Sequence, residues 1–129
     1  MSFNAGFLSN PAATRISMSF SDDTRLPTYL WVEAEMRRLM ADGHGIYVAV
    51  RGDKTGGMVI QKIADMAGRC KLLLQQRDIK GKLVWINALD ADMVEERDAD
   101  EYIRRATGRD PDLWVVEIED KTMTAMMKA

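Results

Sequence analysis

Between Thr28 and Asp42 the apolar residues Val32, Met36, Leu39 and Met40 recur at helical spacing, which predicts a helix over 28–42. Thr28 reads as its cap, and Gly43 or Gly45 as the positive-φ residue that ends it. Glu33 and Arg37 sit four apart on that helix and form an i,i+4 pair. The period then drops to two. Ile46, Val48 and Val50 share one face of a strand, with Tyr47, Ala49 and Arg51 on the other. Met58–Ile63, Lys71–Arg77 and Lys82–Ile86 read as three further strands. The links between them contain Gly52, Gly56, Gly57, Gly68 and Gly81 and are short. Such links suit hairpins, because parallel neighbours need crossovers of about a dozen residues or more, so the centre predicts an antiparallel meander.

A second helical stripe, Ala99, Tyr102, Ile103 and Ala106, marks a helix over 95–107. Acidic residues crowd its start and Arg104 and Arg105 its end, as the helix dipole prefers, and Gly108 and Pro111 stop it. The last strand follows in Asp110-Pro-Asp-Leu-Trp-Val-Val-Glu-Ile-Glu119. Its density of apolar residues suits a central place in the sheet. Glu117 and Glu119 alternate with Trp114, Val116 and Ile118 and are expected to face solvent as a half-solvated edge. The tail, Lys121–Ala129, holds Met123, Met126 and Met127 and reads as a short helix packed on the body.

These elements predict an α+β fold: a single domain with a mainly antiparallel sheet of four or five strands, covered on one face by two helices. Residues 25–129 form the domain, and 1–24, rich in Ser, Asn, Thr, Gly and Ala, read as a flexible N-terminal extension. Met18-Ser-Phe echoes Met1-Ser-Phe, so Met18 reads as a candidate for an alternative translation start.

At 129 residues and 47% apolar composition, the chain can bury a real core without disulfides or metal. Eighteen basic and 20 acidic residues leave a net charge of −2, which weighs against a general nucleic-acid coat. Cys70 is the single cysteine, and its place in an apolar strand reads as structural rather than reactive, despite Lys71 beside it. No intrachain disulfide can form and no apolar run approaches the ~20 residues that span a bilayer. With Arg15 as its only early positive charge and no compact apolar region, the N-terminus is not expected to be a secretory signal. A cytoplasmic protein is the expectation.

Candidate chemistry is sparse. His44, between Gly43 and Gly45, reads as a turn residue, and with Cys70 it is too little for a zinc site. Arg51-Gly-Asp-Lys-Thr-Gly-Gly57 lacks the order of a phosphate loop, although Arg51, Lys54 and glycine-turn amides suit an anion. Its Arg-Gly-Asp string is a chance match to the integrin-binding tripeptide. Asp53, Glu117, Glu119 and Lys121 raise a metal-dependent nuclease reading, since oxygen ligands suit Mg²⁺, but a carboxylate-x-lysine spacing is common. Trp31, Trp85 and Trp114 read as core or helix–sheet contacts, with Trp85 near Arg77 and Lys82 as a faint stacking platform.

Several segments together resemble one family. Trp31-Val-x-Ala-x-x-Arg-Arg38, Val50-Arg-Gly-Asp53 with Gly57, Trp85, Glu96-x-Asp-Ala-Asp-x-Tyr-Ile103 and Asp110-Pro-Asp-Leu-Trp-Val-Val-Glu117 are similar to the alphaproteobacterial family of domain of unknown function 1491. The resemblance spans about residues 26–121 and implies a small bacterial cytoplasmic protein. It carries over no activity, substrate, cofactor or catalytic residue.

The functional expectation is a noncatalytic binding or regulatory protein that meets a protein partner or a second copy, without cofactor, metal ligand set or membrane anchor. The alternative is an enzyme that acts on a phosphorylated or nucleic-acid substrate with a divalent metal. The ligand-binding candidates are Arg51, Asp53, Lys54, Trp85, Glu117 and Glu119. Direct nucleic-acid binding would need Arg37, Arg38, Arg77 and Lys82 on one face.

Overall fold

In a computed structural model, which describes residues 26–128, the chain forms a mixed six-stranded sheet between two helices. The elements run α1 (Thr28–Ala41), β1 (Gly45–Val50), β2 (Val59–Ala64), β3 (Arg69–Arg77), β4 (Leu83–Asn87), β5 (Val94–Glu95), α2 (Glu96–Arg109) and β6 (Trp114–Glu119). Every expected element between Thr28 and Glu119 is present, most of them within two residues of its predicted bounds. The expectations for residues 1–24 and for the translation start lie outside the described residues.

The strand order β1-β6-β2-β3-β4 corrects the simple meander. Strand β6 enters between β1 and β2, antiparallel to the first and parallel to the second, with Ile46 opposite Ile118 and Ile63 opposite Ile118 on its two sides. Two-residue β5 pairs with β3 and raises the strand count to six, above the four or five expected. The reason for the insertion is burial. Trp114, Val115, Val116 and Ile118 are all at most 1% exposed, and a strand apolar on both faces needs cover on both and neighbours on both edges.

The helices therefore lie on opposite faces, not on one. Val32 and Leu39 of α1 pack with Ile46, Val59, Ile63, Trp114, Val116 and Ile118. Ala99 and Ala106 of α2 pack with Ile60, Cys70, Leu72 and Val115. A register shift between Val48 and Val50 in β1 marks a bulge. It turns Val50 onto the α2 face while Ile46 and Val48 stay on the α1 face, so the three do not share one side.

The tail packs on the body as expected, but as turns and irregular chain rather than a helix. Its backbone groups are taken by side chains. The Asp120 carboxylate accepts from the amides of Thr122, Thr124 and Ala125, at 3.0, 3.0 and 2.8 Å. Gln61, fully buried in β2, accepts from the Met127 amide at 2.8 Å and donates to the Met127 carbonyl at 3.2 Å. Amides bound this way are not available for i→i−4 helix bonds. Buried Ala125 and Met127 then finish the α1-side core.

Candidate functional site

The loop 51–57 and the start of α1 are built as one unit. Gly52 and Gly57 pass so close to the chain before β6 that an added Cβ would lie 2.1 and 2.0 Å from the Asp112 carbonyl oxygen. Only glycine fits at either place. The Asp53 amide donates to that same carbonyl at 2.9 Å, and the Trp114 indole donates to the Asp53 carbonyl at 2.7 Å. The Asp53 carboxylate accepts from the Gly56 amide and from Thr55, which holds it below the usual carboxylate range. The loop's carbonyls receive the first amides of α1: Thr28 donates to Thr55 and Tyr29 to Lys54. Pro27, rather than Thr28, occupies the cap position, and the Thr28 hydroxyl reaches the Thr55 and Gly57 carbonyls instead.

This unit forms one wall of a surface groove of about 450 Å³. Leu26, Trp31, Met58 and Leu83 make it apolar, and Gln75 and Arg77 of β3 add polar groups to its lining. Its size is that of a small-ligand or side-chain pocket. Trp31 stacks on Trp85 of β4 with ring centroids 6.2 Å apart. Trp85 in turn lines a second groove, of about 520 Å³, between β4 and the tail residues Met123 and Met126. The Trp85 indole N–H is buried and has no hydrogen-bond partner among the described residues. The stacked pair thus has a groove against each of its rings.

The residues expected to bind ligand fall into three places. Arg51 lies over the buried Trp114 ring, 5.1 Å from its centroid, as a cation–π contact. With Asp53 and Lys54 it belongs to the loop that braces α1. Trp85 lies in the stack. Glu117 and Glu119 sit at the far end of β6: five residues of extended chain separate Glu117 from Asp112, roughly 17 Å. Asp53, bonded to Asp112, therefore does not converge with them, and the three-carboxylate metal arrangement is not formed. Among the described residues no group of three or more His, Cys, Asp or Glu is placed to hold a metal ion.

Nor is β6 an edge with two carboxylates in water. Glu119 is exposed, but Glu117 joins a polar network on the α2 face. It accepts from the Tyr47 hydroxyl at 2.7 Å, and its other oxygen lies 3.8 Å from the ammonium of Lys62. Lys62, 2% exposed in the middle of β2, also donates to Glu96 and Asp100 of α2, each at 2.8 Å. Burial opposes the charge of Lys62, but the Asp100 and Glu96 hydrogen bonds and the Glu117 charge outweigh it and hold the ammonium above its ordinary range. The hydrogen bond to Glu117 pushes the Tyr47 phenol up to about 12. Nucleophilic lysines need the opposite shift, so this network is a structural ion cluster. Sequence reasoning missed Lys62. Its signal was a charge inside the apolar run Met58–Ile63, matched by two acids four apart on one helix face, Glu96 and Asp100.

Burial raises the Cys70 thiol to about 11, as befits a core cysteine. Among the described residues no helix is long and apolar enough to cross a membrane.

The fold is therefore a small α+β domain whose grooves are largely apolar and whose buried charges, Lys62 and Asp120, are held by ion pairs and by hydrogen bonds respectively. The chain belongs to the family described as "Protein of unknown function (DUF1491)", whose model matches residues 26–128. A crystal structure of a DUF1491 family protein from Caulobacter crescentus CB15 is 36% identical, with a TM-score of 0.68, over 75% of this chain and 90% of that one. An NMR structure of a DUF1491 family protein from the same organism is 33% identical, with a TM-score of 0.65, over 81% and 97%. The solution structure of Atu0922 from A. tumefaciens, at 24% identity, shares the fold with a TM-score of 0.63 over 82% and 98%. No curated protein matches the chain.

Proposed function

We propose that the protein is a noncatalytic, cytoplasmic binding protein, and that the groove between Leu26, Trp31, Met58 and Leu83 takes an apolar side chain of a protein partner. The observation that carries this reading is the groove itself: a concave apolar surface set on a loop braced by backbone hydrogen bonds on both sides. Sites built on such a frame keep their shape between free and bound states, which lowers the ordering cost of binding. Leu26, which lines it, stays exposed and adds apolar area.

The expected alternatives have less support. A metal-dependent enzyme would draw on Asp53, Glu117 and Glu119, which the sheet holds apart. A nucleic-acid surface would draw on Arg37 and Arg38, which already pair with Glu33 and Glu35 on α1.

The test is retention of partners from an alphaproteobacterial lysate by the full chain and by Leu26→Asp and Leu83→Asp variants, with Glu119→Ala as a control. Proteins held by the parent and the control, and lost from both groove variants, are the expected result. Proteins retained equally by all four would place recognition elsewhere.

A further inference from the structure

The two outer strands of the sheet are finished differently. At one edge, β1 carries the bulge at Val48–Val50, a device that disrupts further strand pairing. At the other edge, β4 runs in regular register with β3 from Leu83 to Asn87, with no bulge, proline or charge. The amide of Asp78 donates to the Lys82 carbonyl, and that of Ala88 to the Leu72 carbonyl, so the even-numbered residues of β4 bond to β3. By the alternation of an antiparallel ladder, Leu83, Trp85 and Asn87 direct their amides and carbonyls away from the sheet. Of these, the Asn87 carbonyl accepts one long bond, from Asp90 at 3.4 Å.

We propose that this edge pairs with the same edge of a second copy, antiparallel about a two-fold axis at Trp85, to form a continuous sheet across a homodimer. The self-pairing is consistent at every level. A two-fold through Trp85 sets Trp85 opposite its own copy and Leu83 opposite Asn87, so each outward amide meets an outward carbonyl. On the α2 face it sets Val84 opposite Ile86, which is 38% exposed in the single chain.

Charge agrees with this direction and not with the parallel one. The β3–β4 turn carries exposed Lys80 and Lys82 against one acid, Asp78, whose carboxylate is turned to the turn's own amides, whereas the segment after β4 is acidic, with Asp90 and Asp92 exposed. An antiparallel pair brings the basic end of one copy beside the acidic end of the other, twice over. Lys80, Lys82 and Asp90 make no ion pair among the described residues, so their charges are open to a partner. The arrangement is isologous and closes on itself, which limits assembly to two chains. It also sets the second copy's segment after Asn87 beside Leu83, and so beside the groove. The inference stands on the strand edge and does not depend on what the groove takes.

Sedimentation velocity of the full chain tests it. The expected result is a dimer that dissociates on dilution and in high salt. Ile86→Lys, which puts a charge opposite Val84, and Lys82→Glu, which sets like charges at the ends, should each weaken it by about tenfold or more. Both side chains are exposed. If Ile86→Lys loses its circular-dichroism signature, Lys82→Glu decides. A Val84→Cys/Ile86→Cys double variant should cross-link into a covalent dimer under mild oxidation, since those positions face each other across the axis. A monomer at all concentrations up to ~0.5 mM would overturn the proposal, because association weaker than about 1 mM is not a specific dimer here. A dimer that Lys82→Glu leaves unchanged, with no cross-link between the paired cysteines, would also overturn it.

Discussion

On the α1 face of the sheet, Trp114, Val116 and Ile118 of β6 meet Val32 and Leu39, and the tail closes the layer with Ala125 and Met127. On the α2 face the same strand offers Val115 and then Glu117, and the layer at its far end is filled by Lys62 and its carboxylates. Both faces are buried, yet they are held by different physics. The first loses stability when volume is removed, because close-packed side chains leave a cavity. The second loses stability when charge balance is removed, because an ammonium in a low-dielectric interior must keep its partners. One helix is thus a lid on a hydrophobic surface, and the other covers an apolar layer with Ala99 and Ala106 while it also carries the counter-ions of Lys62.

The largest expected effect lies on the apolar face. Trp114→Ala should destabilise by about 3–5 kcal/mol in denaturant unfolding, since it removes a buried ring and leaves the Asp53 carbonyl without its indole donor. A loss below about 1 kcal/mol would mean that the loop and core close over the gap.

The next effect is on the polar face and is asymmetric. Glu96→Gln with Asp100→Asn leaves Lys62 buried with Glu117 alone at 3.8 Å, and should cost about 2–4 kcal/mol. Lys62→Met should cost under about 1.5 kcal/mol, because the two helix carboxylates are partly exposed and can hydrate while the methionine packs. Equal losses from the two changes would show that the cluster does not act through the buried ammonium.

A smaller effect separates the tail from both faces. The Ala125 amide, followed by the Thr122 and Thr124 donors, holds the Asp120 carboxyl well below its ordinary range. A depressed carboxylate contributes stability that is present above its unfolded value of about 3.9 and is lost as pH falls through the lower folded value. The parent should therefore lose stability more steeply than Asp120→Ala below about pH 4. At neutral pH the variant itself should be less stable by about 1–3 kcal/mol, the scale of unpaired amides. Parallel acid-unfolding curves for the two proteins would remove Asp120 from this role.

The smallest effects are expected at an exposed strand-end carboxylate and on removal of the segment whose sequence lacks an apolar period. Glu119→Ala should change stability by less than about 0.5 kcal/mol, in contrast to its neighbour Glu117 in the network. Removal of residues 1–24 should move the thermal midpoint by less than about 5 °C, a shift that corresponds to roughly 1 kcal/mol in a domain near this size. A larger fall on truncation would make that segment part of the folded unit.

Local order was legible in the chain because it rests on near neighbours. The 3.6-residue stripe of Val32, Met36 and Leu39, the pairing of Glu33 with Arg37 at 4.0 Å, the positive φ of Gly43 and the apolar alternation of β6 all follow from contacts a few residues apart. Those contacts determined the helices and the strands, and the doubly apolar β6 already required a central place.

Tertiary structure alone decided which distant residues meet. The insertion of β6 between β1 and β2 separated Asp53 from Glu117, although both looked like members of one carboxylate set. It also brought Glu117, Tyr47 and Lys62 together from three strands, and the crossover through α2 supplied Glu96 and Asp100 from above. Gly52 and Gly57 looked like turn residues, but their need for glycine comes from the Asp112 carbonyl more than fifty residues later in the chain. The groove has the same origin: Leu26, Met58 and Leu83 carry no shared sequence signal, and only the packing of α1 against β2, β3 and β4 makes them one surface. Pattern in a chain reports the face that a residue turns to its neighbours. Sheet order and crossover, which depend on burying both faces of β6 at once, determine what stands opposite that face.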